Sequence, residues 1–174
     1  MPQAISISPN QVRYIKLGEK GIWEEDCVRN GIIRLGFWTG TRSRFKICSA
    51  GNWEALRRDF LKEEECDLAR ARIFTNQVRH FFDDDGSTLW ITFHTDHMYW
   101  GFLGADPPQI VDGSSWRTVV DGWRCEDLNG RELTKKRVGS ALAKYAQFPR
   151  TSCDLKKVAT YAIGVVNGKT TRTK

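Results

Sequence analysis

Tyr14-Ile-Lys-Leu-Gly-Glu-Lys-Gly-Ile-Trp-Glu-Glu-Asp-Cys-Val-Arg-Asn-Gly-Ile-Ile-Arg-Leu-Gly-Phe37 carries the densest structural signal in the chain. The partial alternation of Val12, Tyr14, Ile15 and Leu17 predicts a strand from Gln11 to Leu17. Gly18 to Gly21 reads as a turn, and Ile22 to Arg29 as a short helix. Glu24, Glu25 and Asp26 stand near the positive N-terminal end of that helix. Asn30-Gly31 stops it, because both residues tolerate a positive φ. Ile32 to Trp38 is then a second strand, followed by a basic loop, Thr39 to Arg44.

Outward from this segment the pattern changes period. Trp53, Leu56, Phe60 and Leu61 recur at helical spacing and predict a helix from Asn52 to Glu64, with Asn52 as N-cap. Leu68, Ala71, Val78 and Phe82 extend the pattern into a second helix, ended by Asp83-Asp-Asp-Gly86. Thr88 to Thr95 and Met98 to Gly104 are aromatic and β-branched, which suits a central hairpin. Ala105 to Ser115 reads as a loop and Trp116 to Cys125 as a strand bent at Gly122. Leu133 to Ala146 reads as one helix and Asp154 to Val166 as a last helix or strand. About five strands and four or five helices without regular βαβ alternation predict an α+β fold with a mixed or antiparallel sheet.

Residues 1–10 form a loose lead-in, 11–168 one domain and 169–174 a basic tail. The chain has 174 residues, enough for one well-filled core. It lacks an apolar run of the roughly 18 to 20 residues that span a bilayer, and no membrane association is expected. The N-terminal residues have neither the basic nor the apolar block of a signal peptide, so a cytoplasmic location is expected. Cys27, Cys48, Cys66, Cys125 and Cys153 are too far apart for a CxxC pair, which argues against a zinc knuckle. They read as ordinary buried or half-buried thiols. The net charge of +6 is uneven: 11 Lys or Arg face two acids between Arg131 and Lys174. That asymmetry suits a polyanion-facing surface as well as a solvated face with a basic tail.

The Tyr14–Phe37 segment resembles the start of EVE-like domains, which group with YTH and ASCH modules in the PUA-like superfamily. Leu89-Trp-Ile-Thr-Phe93 with Met98-Tyr-Trp-Gly-Phe-Leu-Gly104 is similar to the barrel hairpin of that group, and Trp116 to Trp123 to its following strand. The helices from Asn52 to Phe82 and the basic C-terminal part depart from the smallest members. The resemblance implies a small β-barrel with peripheral helices and a pocket for one nucleobase, often a modified one. It also implies a non-catalytic role in binding DNA or RNA in a restriction or defence context, with a separate effector protein as a further partner.

A flipped base needs aromatic walls, a few polar groups and cations for its phosphates. By position in the resembling pattern, Trp23 and Trp38 are the first wall candidates, and Trp90 and Trp100 the next. Trp53, Trp116 and Trp123 read as core. Phosphate contacts fall to Arg42, Arg44 and Lys46 after the second strand, or to Lys135, Lys136 and Arg137 at the start of the late helix. No cofactor or metal is expected. His94 and His97 stand three apart on a strand–turn, where side chains point to opposite faces. Gly164 to Thr170 imitates a phosphate loop but lacks the spacing and the following helix. The alternative is a metal-dependent nuclease using Asp83, Asp84 and Asp85, or Glu126 and Asp127. A third reading is a protein-binding module of a defence operon.

Overall fold

The period-2 segments pair into two sheets in the computed structural model, which describes residues 5–37, 39 and 41–169. β1 (Gln11–Ile15), β3 (Thr88–His94), β4 (His97–Gly101) and β7 (Ser152–Asp154) make one sheet in the order β4-β3-β1-β7. β2 (Ile32–Leu35), β5 (Gln109–Val111) and β6 (Ser114–Thr118) make the other, ordered β2-β6-β5. β1 runs parallel to β3 and antiparallel to β7, so the larger sheet is mixed. The helices are α1 (Glu24–Asn30), α2 (Arg42–Ser49), α3 (Trp53–Glu63), α4 (Leu68–Phe82), α5 (Lys135–Val138), α6 (Ser140–Ala143) and α7 (Ala159–Val166). Among the described residues no helix is long and apolar enough to cross a membrane.

The larger sheet is covered on both faces. Alternation along β1 sends Ile15 into the core beneath α3 and α4, and Val12 and Tyr14 into the core shared with α6 and α7. β3 divides in the same way, Trp90 to the first core and Leu89, Ile91 and Phe93 to the second. Every residue of β3 from Thr88 to Phe93 is therefore buried, the pattern of a strand packed on two sides. The α+β class follows, but the described strands form two sheets and not a closed barrel. Among the described residues the two sheets are linked through isolated bridges just beyond their strands, Leu103 with Val119 and Trp100 with Arg124.

Local signals placed α3 and α4 well. The Asn52 side chain accepts from the amide of Ala55 at 3.1 Å, and Asp67 caps α4 by accepting from Arg70 at 2.7 Å. Several boundaries differ from expectation. Helix α2 begins at Arg42, inside the expected loop, and buried Arg44 docks on Asp59 and the Phe37 carbonyl. The strand from Ile32 ends at Leu35, since Phe37 takes a left-handed φ of 59°. The 105–115 segment contains β5 and a tight turn, and the strand from Trp116 ends at Thr118 before the left-handed pair Asp121-Gly122.

The helix expected from Leu133 to Ala146 is broken at Gly139, whose φ of 80° and ψ of 162° only glycine adopts readily. A Cβ there would stand 2.9 Å from the Tyr161 hydroxyl, which is held by donating to the Val138 carbonyl at 2.8 Å. Gly139→Ala should therefore lower stability by about 2 kcal/mol in urea unfolding, with an unchanged denaturant slope.

Candidate functional site: an aromatic cleft at the Trp23 turn

A cleft of about 490 Å³ opens where the β1–α1 turn meets the second sheet. Lys16, Gly18, Glu19, Ile22 and Trp23 line it from the turn, and Gly36 and Phe37 from the end of β2. The Asp112–Ser114 turn closes a further side, and Pro149 and Thr151 come from the segment leading into β7. The volume lies within the range of small-molecule pockets, about 300 to 1,000 Å³.

Both aromatic residues are held by close neighbours. The guanidinium of Arg34 lies 4.2 Å from the Trp23 ring centroid, a cation–π contact. Arg34 is itself oriented by donating from Nε and Nη2 to the Ser114 hydroxyl at 3.1 and 2.9 Å. Gly18 makes the close approach possible, since a Cβ there would fall 2.9 Å from Trp23 Cδ2. Ile22, 69% exposed, forms an apolar lip beside the indole. Phe37 packs its ring against Phe60 and Phe74, with centroids 6.0 and 5.3 Å away. Its carbonyl accepts from Nη1 of Arg44 at 2.7 Å. Thr39 completes the turn by donating from its hydroxyl to the Gly36 carbonyl at 2.8 Å.

Of the expected wall residues, Trp23 lines this cleft, while Trp38 lies outside the described residues. Trp90 and Trp100 are placed in the cores and not on the cleft. Trp90 is 1% exposed and donates from its indole nitrogen to Asp84 at 2.9 Å. Trp100 donates to the Glu126 carbonyl at 2.8 Å and is 4% exposed. Both rings are thus enclosed with their polar atoms satisfied, which leaves no face for a base. Trp123 is likewise buried, donating to the Ile32 carbonyl at 2.8 Å.

The expected phosphate contacts divide. Arg42 and Lys46 are exposed on α2, but Arg44 is 5% exposed. Its Nε donates to Asp59 at 2.7 Å and its guanidinium stacks on Phe60 at 4.7 Å, so it acts inside the protein. Lys135, Lys136 and Arg137 start α5, which packs on β4, the sheet edge opposite β7. Lys136 is exposed and Lys135 half-buried, whereas Arg137 is ion-paired to Asp127 at 2.7 Å. None of these six lines the cleft. The cations beside it are Lys16, whose ammonium donates to the Pro149 carbonyl at 3.2 Å, and exposed Arg150 between two lining residues.

The histidines and aspartates of the alternative readings hold local structure. His94 Nδ1 meets Glu24 at 3.2 Å, tying β3 to α1. Asp84 takes the Trp90 indole and the Gly86 amide, and Asp85 takes the amide of Ser87 at 3.0 Å. Among the described residues no three His, Cys, Asp or Glu group as metal ligands. Burial pushes the thiols of Cys27 and Cys48 up to about 12, so they are protonated and inert at neutral pH.

Lys16, Arg34 and Phe37 escaped the sequence reading. For Arg34 one signal was present: β2 alternates, so with Ile33 and Leu35 buried, Arg34 must face the other way, towards Trp23. No family model, curated protein or solved structure matches the chain.

Proposed function

We propose that this chain is a non-catalytic nucleic-acid-binding module of PUA-like type that takes one nucleobase, often a modified one, into the Trp23–Phe37 cleft. The observation that carries the reading is the cleft itself. An indole braced on a guanidinium and a second ring wedged into the core give a preformed aromatic slot beside Lys16 and Arg150. Preformed stacking surfaces suit a flat π ligand because little ordering remains to be done on binding. The nearby cations suit the phosphates on either side of an extruded base. The single bridges between the two sheets are compatible with an open version of the barrel that the resemblance implies.

The test is quenching of tryptophan fluorescence by single-stranded DNA and RNA oligonucleotides carrying modified and unmodified bases. Quenching should weaken as salt rises, since phosphate binding releases counterions. Trp23→Ala should raise Kd by about 5- to 150-fold, the equivalent of about 1 to 3 kcal/mol of lost stacking. Equal affinity in Trp23→Ala and the native chain would remove the cleft from the reading.

A further inference from the structure

We propose that the cleft selects bases bearing an exocyclic amino group, with Asp112 and Glu19 accepting its hydrogen bonds. This rests on the cleft being a base site and adds which base edge it prefers.

Several acceptors of the lining are already engaged. The Ser114 hydroxyl, in a residue 1% exposed, accepts from Arg34 and donates to the Val111 carbonyl at 2.8 Å. The Thr151 carbonyl takes the Lys16 amide at 2.7 Å, and the Gly36 carbonyl takes Thr39. The Pro149 carbonyl takes the Lys16 ammonium. The carboxylates of Glu19 and Asp112 are different. Both residues are exposed, both line the cleft, and neither makes an ion pair among the described residues. Asp112 is delivered by a two-residue turn, Asp112-Gly113, with φ of 39° and 76°, between β5 and β6. Glu19 comes from the β1–α1 turn, which also supplies Trp23 to the lining.

A carboxylate only accepts. A ligand edge set against either carboxylate therefore has to bring a donor there, and an amino group brings two. Cytosine, adenine and guanine each present one. Thymine and uracil present carbonyls on both sides of a single N–H, so an oxygen would face a carboxylate. The same carboxylates repel phosphate, which leaves the backbone to the Lys16 and Arg150 side of the cleft.

The experiment titrates the full chain, by tryptophan fluorescence, with oligonucleotides holding one test base between abasic residues. The test bases are adenine, cytosine, guanine, their methylated forms, thymine and uracil. The expected result is binding of the best amino-bearing base about 5- to 150-fold tighter than thymine or uracil. Asp112→Asn and Glu19→Gln, both at exposed positions, should each narrow that ratio, and the double variant should abolish it. Equal affinity for thymine, or a preference unchanged in the double variant, overturns the inference and leaves the base site standing. Absence of quenching by every oligonucleotide overturns the base site as well.

Discussion

Arg44→Met should lower the unfolding free energy by about 2 to 3 kcal/mol, measured by urea unfolding. The native guanidinium satisfies three acceptors: Asp59 at 2.7 Å, the Phe37 carbonyl at 2.7 Å and Glu64 at 3.3 Å. Methionine keeps much of the packing on Phe60 but supplies no donor. The two carboxylates are partly exposed, so water recovers some of the loss, and the effect falls short of a fully buried pair. The Phe37 carbonyl matters more to the cleft. Phe37 is a non-glycine residue held at a left-handed φ, a conformation that costs about 1 to 2 kcal/mol. Without the Arg44 bond that strain is opposed by ring packing and by the Thr39 bonds of the same turn, and the wall should be held less firmly. Oligonucleotide affinity should then fall in a variant that is still folded. Asp59→Asn, which keeps the Phe37 bond, should lose stability yet retain affinity. Equal affinity in Arg44→Met and the native chain would separate Arg44 from the cleft.

The second large effect lies in the loop before α5. Asp127 has no exposed side-chain surface and ion-pairs with Arg131 at 3.0 Å and Arg137 at 2.7 Å. It also accepts from the backbone amides of Asn129 and Arg131. Burial acts to raise its pKa, but the two amides and the two guanidiniums together hold it below the usual carboxylate value. Asp127→Asn should therefore lower stability by about 2 to 3 kcal/mol at neutral pH, because two partly exposed guanidiniums lose their counter-charge and water recovers part of the loss. The native pKa lies below the unfolded one, so the carboxylate's contribution is complete above about pH 4. It is lost as pH falls through the depressed native value. The stability difference between native chain and variant should be flat from pH 7 to about pH 5 and shrink below about pH 4. A difference independent of pH down to acid unfolding would assign the effect to packing instead.

Asn52 and the β3–β4 hairpin were legible because their signals are local: a capping oxygen three residues from an amide, or alternation within a single strand. Arg44 and Arg137 show the opposite case. In sequence each stands in a basic run and reads as a solvated or phosphate-facing cation. Their partners, Asp59 and Asp127, are 15 and 10 residues away, and only the fold decides that these charges are spent internally. Trp90 and Trp100 failed as wall candidates for a related reason. An aromatic on a strand looks the same in sequence whether its sheet is covered on one face or two.

The chain's own residues determined the α+β class, the helices α3 and α4, the central hairpin and the turn that carries Trp23. Periodicity, caps and turn chemistry act over a few residues, and none needs a distant partner. The tertiary structure alone decided the parallel pairing of β1 with β3 and the division of the strands into two sheets. It also decided which cations remain free. The cleft is a product of that assembly, drawing its walls from four segments between Lys16 and Thr151. No local pattern encodes a contact between residues so far apart, because burial and pairing energies depend on what the rest of the chain brings alongside.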